Sequence, residues 1–188
     1  MGREPKGGET DGTPEPWLSG SLSDVPAVPR AVLHALELAA NDLRRWCGGL
    51  TDEEINTRPE GMAPVAFHVR HIARSLDRLL TYAEGRQISE EQLAVMGAEL
   101  DAAAKVSEVF AELEESFQKS AARIRALAAE NLEQARCVGR RKLPTTLGGL
   151  LVHCADHTQR HVGQAITTAK FVLARRRGGG LAEESGKD

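Results

Sequence analysis

Residues 147–170 read LGGLLVHCADHTQRHVGQAITTAK, with histidine at positions 153, 157 and 161. Apolar residues return every three or four positions in this stretch, which is the spacing of an amphipathic helix. A step of four residues exceeds one helical turn by only about 40°, so the three histidines form a slowly rotating line. The stretch therefore predicts a helix over about residues 146–176 that carries three imidazoles along one side.

Three further segments have the same helical periodicity. A short helix is predicted after Ser89, where Ser-Glu-Glu-Gln matches a capping box. The other connections are predicted to be polar, and the one that contains Pro144 is basic. Nothing in the chain alternates with the period of a strand. Four amphipathic helices without strands predict an all-α, four-helix bundle. The other three long helices are predicted over about residues 27–47, 64–84 and 99–130.

The two ends of the chain have the composition of disordered segments. Glycine, proline and mixed charges fill the N-terminal end, which cannot bury enough apolar surface to fold alone. Trp17 and Leu18 are exceptions there and could dock as a strap. At the other end, Gly178 follows an arginine triplet and is a typical helix stop. The predicted division is a flexible segment, a bundle and a flexible tail, over residues 1–24, 25–176 and 177–188.

Composition excludes several classes of protein. The 188 residues are 41% hydrophobic and carry a net charge of −3, which argues against nucleic-acid and anionic-membrane binding. No apolar run approaches the roughly 20 residues of a membrane span, and the start, MGREPKGGETDG, lacks the apolar region of a signal peptide. The three cysteines are too widely spaced for a disulfide scaffold or a zinc ribbon. They fit a cytoplasmic protein and stand at Cys47, Cys137 and Cys154.

Five of the six histidines fall in two windows and predict a metal site. Two histidines four residues apart on a helix can direct their imidazoles at one ion. A helical wheel places His157 and His161 toward the apolar stripe and His153 farther out. Three imidazoles with one open position are a familiar catalytic arrangement, so a third ligand must come from another helix. The second helix offers His68 and His71; the wheel puts His68 nearer its apolar stripe, and spacing leaves the choice open.

Packing is the competing interpretation for several of these residues. His34 stands alone on the first helix, so it is predicted to be a packing residue. Cys154 lies one turn from His157 but is predicted to be buried filler, because free cysteine is usually buried. Asp156 lies about 100° from its neighbour His157 on the wheel and is predicted to face elsewhere.

Two motifs together resemble the DinB superfamily. One is HIA beginning at His71 on the second helix, and the other is HxxxHxGQ beginning at His157 on the last. The resemblance spans about residues 25–175. It implies a bundle with up-down-down-up connectivity and a divalent metal near one end, held by histidines of the second and fourth helices. Carried over to this sequence, the family's ligands are His71, rather than its rival His68, with His157 and His161.

The resemblance also implies a function. The family includes thiol-dependent S-transferases and mycothiol-dependent maleylpyruvate isomerases, so it implies a divalent zinc, nickel or iron ion and a small-molecule or thiol substrate. An ion held by three neutral imidazoles acidifies a bound water or thiol. The chain is therefore expected to be a metal-dependent S-transferase or hydrolase. The alternative is a non-catalytic metal-binding bundle linked to stress or to a partner. Family members often pair through bundle helices, which is compatible with a homodimer.

Two details of the resemblance concern the shape of the site. The glycine of the GQ pair, Gly163, is expected to permit close helix approach, and the amide of Gln164 could orient a ligand or a water. Many members carry a tryptophan just before the second helix, whereas residues 60–64 here are EGMAP. Either the pocket differs in shape or Trp17 of the strap fills that role.

Overall fold

The chain folds into four long helices joined by short helices, turns and one hairpin. The computed structural model describes residues 14–97 and 103–184, and only the backbone of residues 177–184. The helices are α1 (Ala27–Cys47), α2 (Asp52–Asn56), α3 (Val65–Ala83), α4 (Glu90–Gly97), α5 (Val106–Ala126) and α6 (Leu147–Glu184). The strands are β1 (Ala135–Val138) and β2 (Leu143–Thr146), and two 3-10 turns cover Pro16–Leu18 and Pro59–Gly61.

Helix α6 packs against both α1 and α3, and its contacts give the relative directions of all three helices. Toward the start of both helices, the Gln159 amide donates to the Ala35 carbonyl. Toward their ends, the Lys170 ammonium lies over the Trp46 ring. Because both sequence numbers rise together, α6 runs parallel to α1. Against α3 the order is reversed. His161 on α6 contacts His68 on α3, whereas the earlier His157 contacts the later His71, so these helices are antiparallel.

Helix α5 runs parallel to α3. Arg74 pairs with Glu112 near the start of both helices, and Glu84 pairs with Arg123 near their ends. The four long helices are therefore arranged up-down-down-up, as the resemblance implied. Two successive parallel helices require a connection that returns along the bundle, and the segment that contains α4 makes this return.

The predicted apolar stripes form one core. Helix α6 contributes Leu147, Leu151 and Cys154, and all three are fully buried. Each fully buried Leu or Ile side chain stabilises the fold by about 1.5–3 kcal/mol before conformational entropy is counted. The most deeply buried residues of the other long helices, each at most 3% exposed, include Val32, Leu36, Ala39, Leu43, Val69, Ile72, Leu76, Leu80, Val109, Leu113 and Ile124. No described helix combines the length and the apolar character needed to cross a bilayer.

A small hairpin replaces the unstructured basic connection that was predicted before α6. Strands β1 and β2 pair antiparallel from Ala135 opposite Thr146 to Val138 opposite Leu143. Gly139 and Lys142 adopt positive φ in the turn between them. Tertiary contacts hold the hairpin, since Arg136 donates to the carbonyl of Ala83 at the end of α3 over 2.6 Å. Two four-residue strands, ARCV and LPTT, carry too weak a periodic signal to be predicted.

The connection after α1 also contains a helix that was not predicted. Thr51 and Glu54 form a reciprocal capping box, in which the Thr51 hydroxyl accepts from the Glu54 amide and the Glu54 carboxylate accepts from the Thr51 amide. The resulting helix α2 is held to the bundle by Ile55, which is fully buried. The TDEE pattern was a detectable signal for it. The capping box predicted at Ser89 is confirmed, since Ser89 and Gln92 exchange the same two bonds at the start of α4.

The limits of two long helices differ from the prediction. Helix α5 covers Val106–Ala126 rather than 99–130, and part of the predicted start, residues 99–102, lies outside the described residues. Helix α6 continues through Gly178 to Glu184, so the predicted stop at that glycine is wrong. Glycine lowers helix propensity by about 1 kcal/mol per residue but does not forbid the helical conformation. The final predicted tail residues, 185–188, are not described.

The N-terminal segment is ordered over part of the predicted flexible range, while residues 1–13 lie outside the described part. The 3-10 turn at Pro16–Leu18 packs on α1. Its buried residue is Pro16, whereas Trp17 and Leu18 are 61% and 58% exposed. A strap therefore exists, but the prediction that Trp17 and Leu18 anchor it is wrong. The Trp17 indole donates to the nearby Glu15 carboxylate.

Candidate metal centre

The crossing of α3 and α6 brings the two histidine windows face to face. His157 and His161 lie one turn apart on α6, as the four-residue spacing requires. His71 lies on α3, and the antiparallel crossing places it against this pair. The three side chains are partly buried, and each has one nitrogen within 4.8 Å of a nitrogen of both others. The predicted ligand set thus forms one group of imidazoles.

The closest contact in this three-histidine group joins α3 to α6. The Nε2 atoms of His71 and His157 lie 3.0 Å apart. The ring of His161 completes the group, with its centroid 4.4 Å from the ring of His71 and 4.6 Å from that of His157. Phe67, one turn before His71, stacks on the His71 ring with centroids 5.3 Å apart and planes 20° apart. This stacking restricts the orientation of the His71 imidazole.

The geometry and chemistry of the group fit a transition-metal ion. Zinc binds imidazole nitrogen at about 2.0–2.1 Å, so nitrogens around one tetrahedral ion lie about 3.4 Å apart. The shortest pair here is 3.0 Å and every pair falls within 4.8 Å. Metal ligation also requires neutral imidazoles. Burial, followed by the proximity of His161 and His71, lowers the pKa of His157 to about 4, so this ring is neutral at pH 7.

His68 lies beside the three-histidine group but outside it. Its ring is 6% exposed, and its Nδ1 lies 3.1 Å from Nδ1 of His161. Burial, then the neighbouring His161 and His71, lower the pKa of His68 to about 4. The wheel correctly placed His68 closer to the core than His71. The structure nevertheless brings His71, and not His68, into the group that could hold an ion.

The remaining histidines occupy the positions expected from the wheel. His153 is exposed, with its Nδ1 3.7 Å from a carboxylate oxygen of Asp156. The same carboxylate accepts from Arg160 over 2.6 Å, so Asp156 faces outward as predicted. His34 is buried away from the group, and its Nε2 bonds the Ser21 hydroxyl at 3.0 Å. The prediction of a packing role for His34 agrees with this contact.

Cys154 is fully buried in the core. Burial raises the pKa of its thiol to about 12, so the thiolate that a metal requires is not formed near neutral pH. No cysteine belongs to the metal-binding group found among the described residues. The interpretation of Cys154 as buried filler therefore agrees with the structure.

Comparison with known proteins assigns the family. The sequence profile of the DinB superfamily matches residues 35–165. The chain belongs to the DinB superfamily. This match begins within α1, ends about halfway along α6 and includes all three histidines of the group, so the resemblance found in the two short motifs is confirmed.

A solved structure with the same fold is YfiT from Bacillus subtilis. It superposes with a TM-score of 0.57 at 22% identity, over 80% of this DinB-superfamily chain and 87% of YfiT. YfiT is described as a probable metal-dependent hydrolase with an unusual four-helix bundle topology. At this level of identity the likeness shows the shared fold. No curated protein matches this DinB-superfamily chain.

A small cavity of about 260 Å³ opens on the His71 and His157 side of the group. Its polar wall includes Ser75, whose hydroxyl lies 3.2 Å from Nε2 of His71 and accepts from Arg78 over 3.0 Å. The rest of the lining consists of His153 on α6 and a mostly apolar set from α3, the following connection and α4: Leu79, Tyr82, Ile88 and Met96. The sequence predicted neither Ser75 nor this mostly apolar set as part of the site. The i, i+4 spacing of Ser75 from His71 was the one available signal.

The glycine of the GQ pair after the last histidine does not have the expected role. A Cβ built on Gly163 meets nothing within 4 Å, so this glycine does not provide close helix approach. Gln164 is exposed and lines a groove of about 550 Å³ together with His68, Arg160 and Thr168. Its amide thus lies on the His68 side of the three-histidine group, away from the cavity beside His157.

Proposed function

We propose that this DinB-superfamily chain is a metal-dependent enzyme in which His71, His157 and His161 hold one divalent ion. The observation that supports the proposal best is the meeting of three imidazole nitrogens from two helices within 4.8 Å. Imidazole ligands suit zinc, nickel and iron, which are the ions we propose.

The ion would supply Lewis acidity. Three neutral imidazoles add no negative charge, so the ion keeps its double positive charge and lowers the pKa of a water or thiol to near neutrality. This chemistry serves hydrolysis of a carbonyl compound and transfer of a thiol to an electrophilic carbon. We propose that the reaction is one of these two.

The protein's own residues prepare the site for a small substrate. Phe67 holds the plane of the His71 ring, and Ser75 places a hydroxyl 3.2 Å from that ring's Nε2. The cavity of about 260 Å³ beside His71 and His157 is slightly smaller than the roughly 300–1,000 Å³ of most ligand pockets, which favours a small substrate. Leu79, Ile88 and Met96 would receive an apolar part of the substrate and exclude water around it.

Metal content tests the proposal directly. We expect the untagged wild-type protein to contain about one zinc, nickel or iron ion per chain by elemental analysis, and His71→Ala and His161→Ala to lose it. His153→Ala is the control on the same helix, because His153 lines the cavity but does not belong to the three-histidine group, so its loss should leave the ion bound. A wild-type protein that stays metal-free after stoichiometric loading would contradict the proposal.

Activity then separates the enzyme from a non-catalytic metal-binding bundle. The loaded protein is assayed against a panel of simple esters and amides, and against thiols paired with electrophilic acceptors. We expect turnover in one panel that disappears with a chelator and returns with the ion. Stoichiometric metal with turnover in neither panel would favour the non-catalytic alternative. We also propose a cytoplasmic location and a homodimer, which fractionation and sedimentation analysis would test.

A further inference from the structure

His68 is the buried histidine nearest the three-histidine group. It lies one turn before His71 on α3, is 6% exposed, and directs Nδ1 to within 3.1 Å of Nδ1 of His161. The two rings are tilted by 40° with centroids 5.4 Å apart, so they meet through these nitrogens rather than by stacking. Only one proton can lie between two such nitrogens, so one ring donates and the other accepts.

We propose that His68 is a positioning residue that accepts a hydrogen bond from Nδ1–H of His161 and thereby keeps the lone pair of His161 on Nε2, the nitrogen that would ligate the ion. This inference rests on the proposed function. A neutral imidazole carries its proton on one nitrogen and its available lone pair on the other. Because Nδ1 of His161 is committed to His68, its ligating nitrogen is Nε2.

The same bond explains why His68 is not itself a ligand. Its Nδ1 lone pair faces His161, so its own proton must sit on Nε2, where it blocks ligation. A ring that accepts through Nδ1 carries its single proton on Nε2, because an imidazolium has two N–H donors and no acceptor. The sequence left His68 and His71 as rivals, and the inferred bond gives each of them a separate role.

A neutral acceptor has a chemical consequence for the ion. Metal-binding histidines usually donate their second N–H to a carboxylate, a backbone carbonyl or a water. A carboxylate raises the basicity of the ligand and adds negative charge near the ion. An imidazole in that place fixes the orientation and tautomer of His161 but adds no charge, so the ion remains a stronger Lewis acid.

The tautomers can be measured without any metal. Long-range proton–nitrogen spectra of the metal-free, ¹⁵N-histidine-labelled protein at pH 7.5 distinguish Nδ1–H from Nε2–H rings. We expect His161 as the Nδ1–H tautomer and His68 as the Nε2–H tautomer, assigned from His68→Asn and His161→Ala. The reverse pair of tautomers would overturn the inference, whether or not the protein binds metal.

Zinc affinity, measured by competition with a chromophoric chelator, tests the positioning role. We expect His68→Leu to weaken zinc binding by about 10–100-fold at an unchanged stoichiometry of about one per chain. His68→Asn places an oxygen acceptor near the position of Nδ1 and should stay within a few-fold of wild type. His34→Leu is the matched control, because it removes a buried histidine that bonds Ser21 outside the group.

Two further readouts separate positioning from structural support. Cobalt-loaded His68→Leu should show visible absorption bands that differ from those of the cobalt-loaded wild type. Metal-free His68→Leu should have a melting temperature no lower than that of the metal-free wild type. Wild-type zinc affinity in His68→Leu would overturn the inference, and complete loss of zinc would show that His68 is a ligand. If wild type takes up neither zinc, nickel nor iron, the proposed function fails, and the tautomer spectra alone decide whether His68 controls His161.

Discussion

The three thiols of the chain differ in their surroundings, which determines their reactivity. Cys47 and Cys154 are fully buried, and burial raises the pKa of each thiol to about 12. Cys137 lies on the hairpin and is partly exposed. Because the thiolate is the reactive form, burial protects Cys47 and Cys154 in two ways: it excludes reagents from the sulfur, and it keeps the thiol protonated.

This difference predicts the outcome of a thiol titration. We expect a disulfide reagent at pH 8 to modify about one thiol per folded chain, at Cys137, and all three in denaturant. Cys137→Ser should abolish the reaction of the folded protein. Rapid modification of Cys154 in the folded state would contradict the assignment of this residue as core filler and would reopen it as a candidate ligand.

At the scale of the element, the glycines of α6 are in unlike environments. A Cβ added at Gly163 meets open space, whereas one added at Gly148 lies 3.2 Å from both the Cβ and the carbonyl oxygen of Leu132. We expect Gly163→Ala to stabilise the protein by about 0.5–1 kcal/mol, because alanine has the higher helix propensity. Gly148→Ala gains the same propensity but must displace backbone, so it should be less stable than Gly163→Ala. Urea unfolding measures both; equal effects would contradict the difference in packing.

Arg123 connects α5 to α3 through several bonds. Its guanidinium donates to the Glu84 carboxylate over 2.5 Å, to the Asp77 carboxylate over 2.8 Å and to the Thr81 hydroxyl over 3.1 Å. Arg123 and Glu84 are only 22% and 23% exposed, so the pair is better shielded than a surface ion pair. We expect Arg123→Met to lower the free energy of unfolding by about 1–2 kcal/mol at pH 7. Lys119→Met is the control, because its partner Glu115 is exposed and the pair should contribute little.

The Arg123 contribution should depend on pH. Burial alone would raise the pKa of Glu84, but hydrogen bonds from Arg123 and Arg86 outweigh burial and hold that pKa below its ordinary value. The unfolded chain therefore binds the proton first as pH falls, so the pair stabilises the fold above about pH 4.5 and loses this effect below it. The difference between wild type and Arg123→Met should accordingly shrink between pH 7 and pH 3.5. A difference in unfolding free energy that grows on acidification would contradict the lowered pKa of Glu84.

At the scale of the whole molecule, the proposed ion would join distant parts of the chain. The ligands on α3 and α6 are 86 or more residues apart, so the unfolded chain cannot hold the ion in the same way. At a free zinc concentration of 100 times Kd, binding should stabilise the fold by about 2.7 kcal/mol. We expect the melting temperature to rise by about 5–10 °C. His161→Ala should show no such rise; an equal rise would place the ion elsewhere.

The long helices were largely predictable because their signal is local. Apolar residues at helical spacing define each stripe within one segment, and the same stripes form the core. The hairpin and α2 are short, and contacts of Arg136 and Ile55 with the bundle help to hold them, so apolar periodicity did not indicate them. The reach of α6 beyond Gly178 differs from the prediction because a single glycine is a weak stop signal.

The sequence alone determined that His157 and His161 share one side of a helix, because covalent geometry fixes the step between residues four apart. The HIA and HxxxHxGQ motifs determined the family. Residue spacing left the choice between His68 and His71 open and the family motif favoured His71, but only the tertiary structure shows that His71 converges with both histidines of that pair. His68 and His71 lie on adjacent turns, and their distances to α6 depend on the register of two antiparallel helices 86 or more residues apart in the chain. That register is the sum of many core contacts, and no local spacing encodes it.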